Sequence, residues 1–150
     1  MKVSDIMHRD VQTVSAEDTF AVAAKVLRDH RISSVIVKDG DRPSGIVTER
    51  DVVALVADGL DPATTKVGHR MTKDLATVEP RTDIVDAARL MAERRIRHLP
   101  VVDKGGLAGI MSIRDLTTWA VEELTGGFEL PDMERSNAAL AAAVKAKQEG

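Results

Sequence analysis

Apolar side chains recur at Phe20, Ala23, Ala24 and Leu27, and again at Ile84, Ala87, Ala88 and Met91. Both sets follow the spacing i, i+3, i+4, i+7, which gathers four side chains on one face of a helix. Cap-type residues, Asp18 and Thr82, precede them, so the pattern predicts amphipathic helices opening there. A short extended piece lies ahead of each helix (VQTV, LATV) and a β-rich run behind it (SSVIVKD, HLPVVD). A turn on DGDRP or DKGG then leads to a second short strand, GIV or GIM, and to another helix opening at TERD or SIRD. The order strand, helix, strand, strand, helix is spelled twice.

The two spellings are copies. Gly45-Ile46 falls on Gly109-Ile110, an offset of 64 residues, and the same offset carries Val3 onto Val67, Met7 onto Met71, Thr13-Val14 onto Thr77-Val78 and Arg50-Asp51 onto Arg114-Asp115 without a gap. A unit of about 50 residues is marginal alone. The expected fold class is therefore α+β, with two β-α-β-β-α repeats packed sheet to sheet about a pseudo-twofold axis. Residues 1–58 form the first repeat, 59–66 the connection around GLDPATT, and 67–125 the second repeat. Residues 126–150 form a tail, broken at Gly126-Gly127 and Pro131 and then Ala-rich, with Leu140 and Val144 at i, i+4.

Composition removes several classes of function. A net charge of -3 over 150 residues argues against a sequence-independent grip on nucleic acid, which needs a basic face. The absence of cysteine excludes disulfides and thiolate chemistry and fits a cytoplasmic setting. MKVSDIMHRDV has charges where a signal peptide needs its apolar stretch, and no window approaches the ~18 apolar residues of a membrane span. His8, His30, His69 and His98 suit no standard zinc spacing. His8-Arg9-Asp10 matches the start of a kinase catalytic loop, but the required Asn falls on Ser15. DGDRPSG fails as a calcium loop because Pro43 takes a ligand position. With no nucleophile elbow or P-loop either, catalysis is not expected.

What remains is the repeated GIVTERD and GIMSIRD. Thr48-x-x-Asp51 and Ser112-x-x-Asp115 read as capping boxes, although Asp is less usual there than Glu or Gln. They also read as a binding device. A helix start favours anions, and a carboxylate beside a hydroxyl can accept two hydrogen bonds from a vicinal diol such as that of ribose. The glycine three residues before each hydroxyl permits a close approach by backbone or ligand.

These residues, with VSDIM, VGHRM, TVSAEDTFAVAAKVLRDHRISSVIVKDG and RIRHLPVVD, resemble the tandem cystathionine-β-synthase (CBS) domain pair, or Bateman module, over residues 1–122. The resemblance implies a stand-alone regulatory module, homodimeric, that binds an adenosine-type ligand (AMP, ADP, ATP or S-adenosylmethionine) between the repeats and signals to a protein partner. No cofactor is required in such a module. Carried over residue by residue, Asp51 and Asp115 hold ribose hydroxyls, Thr48 and Ser112 lie near ribose or phosphate, and Thr13, Val14, Thr77 and Val78 line the adenine pocket. Arg97-His98, where the first repeat has Ser33-Ser34, supply a basic phosphate contact, with Arg50 and Arg114 adjoining. The alternative is a structural or dimerisation module with empty clefts.

Overall fold

The computed structural model describes residues 1–126; the expected Ala-rich tail from residue 127 lies outside them. Its elements are α1 (Val3–Ile6), β1 (Thr13–Ser15), α2 (Phe20–His30), β2 (Ser34–Asp39), β3 (Arg42–Thr48), α3 (Glu49–Ala57), α4 (Val67–Arg70), α5 (Ile84–Arg94), β4 (His98–Asp103), β5 (Gly106–Ser112) and α6 (Ile113–Thr125). Met1–Asp115 forms one compact unit, and the packing described below belongs to it. As expected, the fold is α+β, with the two repeats' sheets meeting along β3 and β5.

Helices α2 and α5 open one residue later than the sequence predicts, at Thr19 and Asp83. Thr19 accepts from the Val22 amide and Asp83 from the Val85 amide. Asp18 and Thr82 close the preceding turn instead, accepting from the amides of Ser15 at 2.8 Å and Glu79 at 3.1 Å. Each repeat thus uses two cap-type residues in succession, one for the turn and one for the helix. The apolar stripe is buried as its spacing requires: Phe20, Ala23 and Leu27 in α2, and Ile84, Ala87 and Met91 in α5.

The first sheet has the order β1-β2-β3, with β1 parallel to β2 and β2 antiparallel to β3. In the second repeat β4 and β5 pair antiparallel in the equivalent register, but the expected third strand in LATV shrinks to a single parallel bridge, Val78 to Val101. The cause is one residue. In the first repeat the Ile36 amide donates to the Gln12 carbonyl. The equivalent of Ile36 is Pro100, which has no amide proton to give to Ala76.

Two short helices were not foreseen, and they change how the repeats fit together. The Val3 amide of α1 donates to the Thr82 carbonyl, at the start of α5, and the Val67 amide of α4 donates to the Asp18 carbonyl, before α2. Beyond each helix the chain pairs again in both directions: His8 with Ile110 of β5, and Thr72 with Ile46 of β3. Each repeat therefore lends its leading segment to the other. Val67, from the second repeat, is fully buried in the first repeat's core beside Phe20, Val35, Val47 and Leu55, with Met71 packed against it.

That exchange explains the motif glycines. A Cβ on Gly109 would lie 2.8 Å from the His8 carbonyl oxygen and 2.9 Å from Sδ of Met7. One on Gly45 would lie 3.0 Å from the Thr72 carbonyl oxygen and collide with Met71. The close approach read from the sequence is made by the borrowed backbone.

Candidate functional site

The helix starts at α3 and α6 carry the repeated hydroxyl and carboxylate. At α3, Oδ2 of Asp51 accepts from the Thr48 amide at 2.8 Å and from its hydroxyl at 3.1 Å, while the Asp51 amide donates back to Oγ1 of Thr48 at 3.4 Å. At α6, Oδ2 of Asp115 accepts from the Ser112 amide at 2.6 Å and its hydroxyl at 2.7 Å, and the Asp115 amide donates to Oγ of Ser112 at 3.3 Å. Both are capping boxes closed by Asp. One carboxylate oxygen suffices for each box, so the cap leaves Oδ1 available to another donor.

Asp115 lines a cleft of about 750 Å³, within the usual size range for small-molecule sites. From the second repeat come Arg97, His98, Ser112, Arg114 and Asp115; from the first come His8 to Gln12, Arg31 to Ser34, and Glu49. Four arginines, Arg9, Arg31, Arg97 and Arg114, thus line one cavity with Asp10, Glu49 and Asp115. Arginine clusters of this kind suit phosphate, which each fork can bind through two parallel hydrogen bonds. Arg31 occupies the left-handed position that ends α2, at φ 52, where glycine costs less. Arg31 lines the cleft from that strained position.

His98 sits where the two repeats' middle strands begin, with its Nε2 2.9 Å from Oγ of Ser33. Burial holds its imidazole below the usual histidine value of 6.5, the Asp115 carboxylate opposes this, and Arg97 and Arg114 reinforce it. A neutral imidazole can accept from the Ser33 hydroxyl. On the outer side, Nε2 of His8 lies 2.8 Å from Oδ1 of Asp115; the Asp115 side chain is 12% exposed and that of His8 68%.

Of the residues selected from the sequence, Arg97, His98, Ser112, Arg114 and Asp115 share this cleft. Thr48 and Asp51, with Arg50, stand at the start of α3; the adjoining Glu49 reaches the cleft and its amide donates to the Ser33 carbonyl. Val14 is buried in the first repeat's core and Thr13 is exposed on β1, and the lining is provided instead by the residues just before them, Asp10 to Gln12. Thr77 and Val78 line a separate concavity of about 570 Å³ with Glu79, Thr82, Val102, Lys104 and Gly105. His8, Arg9, Arg31 and Glu49 line the cleft without having been selected from the sequence as binding residues. For His8 and Arg9 the signal lay in the repeated Val-x-x-x-Met of VSDIM and VGHRM, an apolar i, i+4 pair marking the borrowed segments. Among the described residues no group of three His, Asp or Glu side chains could hold a metal ion, and no helix is long and apolar enough to cross a membrane.

The chain belongs to the CBS domain family, whose model matches it twice, at residues 3–58 and 67–122. It is 32% identical over 136 residues to the CBS domain-containing protein YhcV of Bacillus subtilis, covering 90% of this chain and 96% of that one. It is 38% identical over 119 residues to protein MK0525 of Methanopyrus kandleri, covering 77% of this chain but only 61% of that relative's length. Among solved structures, a protein with CBS domains from Burkholderia ambifaria MC40-6 superposes with a TM-score of 0.76 at 33% identity, over 88% of this chain and 99% of that one. The CBS domain pair of protein MJ0100, in complex with 5'-methylthioadenosine and S-adenosyl-L-methionine, shares the fold, with a TM-score of 0.74 at 24% identity over 86% and 98% of the two chains.

Proposed function

We propose that this CBS pair is a regulatory module that binds an adenosine-type ligand, such as AMP, ADP, ATP or S-adenosylmethionine, in the cleft that ends on Asp115. The observation that carries this reading is the division of labour within one carboxylate. Oδ2 is committed to the Ser112 cap, whereas Oδ1 is left to the exposed His8, and Asp115 lines a cavity that it shares with four arginines. A ribose diol fits such an oxygen, and phosphate fits the arginines. That the same fold holds two adenosyl compounds in MJ0100 supports the ligand class. Thr48 and Asp51 offer the same pair at the start of α3.

In this reading the module is a homodimer, and occupancy is passed to a protein partner. Coupling requires that ligand bind two arrangements of the chain unequally. The position of the cleft between the repeats supports such coupling, since the first repeat lends it the leading segment and the start of α3 while the second lends it the start of α6.

Calorimetric titration of AMP, ADP, ATP, S-adenosylmethionine and NAD tests the proposal. At least one is expected to bind at sub-millimolar concentration. If none does, the clefts are structural and the module is a scaffold. Arg97→Ala is expected to weaken ATP more than adenosine; equal weakening would remove Arg97 from the phosphate site.

A further inference from the structure

The two helix starts are near copies, yet they meet different neighbours. The borrowed segment that crosses Gly109 brings His8 to the second repeat's carboxylate, and the one that crosses Gly45 brings Thr72 to the equivalent place in the first. Nε2 of His8 stands 2.8 Å from Oδ1 of Asp115, the oxygen that the cap leaves over. Thr72 has no imidazole to offer, and Oδ1 of Asp51 has no protein partner among the described residues. The difference comes from one position in the repeat.

We infer that His8 is the specificity-determining residue of the Asp115 cleft: it occupies the ribose-accepting oxygen until displaced, and so makes this cleft prefer a phosphorylated nucleoside to a bare one. The inference rests on the reading of the cleft as an adenosine site. A ribose diol must take Oδ1 from the imidazole before it can bind. Displacement is easy, because the His8 side chain is 68% exposed and its backbone stays pinned by two 2.9 Å hydrogen bonds with Ile110, whichever way the ring turns. The displaced ring has lost its acceptor. In a cleft lined by Arg9, Arg31, Arg97 and Arg114, an arriving phosphate gives it a new one, whereas a neutral nucleoside does not. His8 thus penalises adenosine in full and a nucleotide only in part.

The test is calorimetric titration of adenosine and AMP into the wild-type chain and His8→Thr. Threonine is the residue that the other repeat carries at this position, and the backbone pairing with Ile110 needs no particular side chain; a thermal unfolding midpoint close to wild type would verify the fold. The variant is expected to bind adenosine about two- to fivefold more tightly, the range set by the net worth of one hydrogen bond. AMP is expected to tighten less than adenosine, so that the AMP-to-adenosine preference falls. Adenosine that binds only to the variant also supports the gate. If adenosine affinity is unchanged, or adenosine and AMP tighten equally, the specificity role is wrong while the cleft's function stands. If neither ligand binds to either chain, the adenosine reading itself fails and takes the gate with it.

Discussion

Asp115 shows how a single side chain can be both cap and ligand-binding group, a choice that the sequence left open. The capping box uses one oxygen and leaves the other to His8, beside the cleft that Asp115 lines. The pairing of Ser112 with Asp115 was legible because it is local and repeated. His8 was not, since its partner is 107 residues away and only the exchange of leading segments brings the two together. His98 gives a prediction at this scale. Its folded-state pKa lies below 6.5, so under acid conditions the unfolded chain takes up a proton that the folded chain resists. Stability is therefore expected to fall as pH drops from about 7 through 6.5 and on toward the depressed value. Urea unfolding at pH 7.5 and 5.5 should show a smaller acid loss for His98→Ser than for wild type; an equal loss would mean that His98 does not contribute to it.

At the scale of elements, the helical stripes and the hairpins were readable from period and turn chemistry, whereas two features were not. The first is the exchange of α1 and α4, which are four residues each and carry no helical stripe of their own. Val67 is fully buried among residues of the other repeat. Val67→Ala is expected to cost about 2 kcal/mol, from lost burial plus the cavity left behind, and to lower the urea midpoint without changing the slope. A loss below about 0.5 kcal/mol would mean that α4 is not part of that core. The second is the truncated sheet of the second repeat. Pro100→Ile is expected to restore the missing amide donor and complete a third parallel strand, seen as slowed hydrogen exchange at residue 100. Exchange as fast as in an open loop would show that something other than the proline prevents pairing.

At the scale of the whole chain, the 64-residue repeat made the two-repeat α+β fold legible, because the hydrophobic pattern and the motif recur together. The inequality of the clefts was only half legible. Arg97 and His98 against Ser33 and Ser34 are visible as an asymmetry in the sequence, but both pairs line the same cavity. Borrowed segments explain why: a cleft owned by one repeat's carboxylate is walled by the other repeat's leading residues. Any ligand held there touches both repeats at once, which is the property a regulatory module needs in order to convert occupancy into a change of arrangement. The measurement that bears most directly on this account is the titration of AMP into wild type, Asp115→Ala and Asp51→Ala. Loss of the charge-assisted bonds to a ribose diol is expected to weaken AMP by about tenfold or more in Asp115→Ala, with a smaller change in Asp51→Ala. AMP binding that survives Asp115→Ala unchanged would contradict the assignment of this cleft.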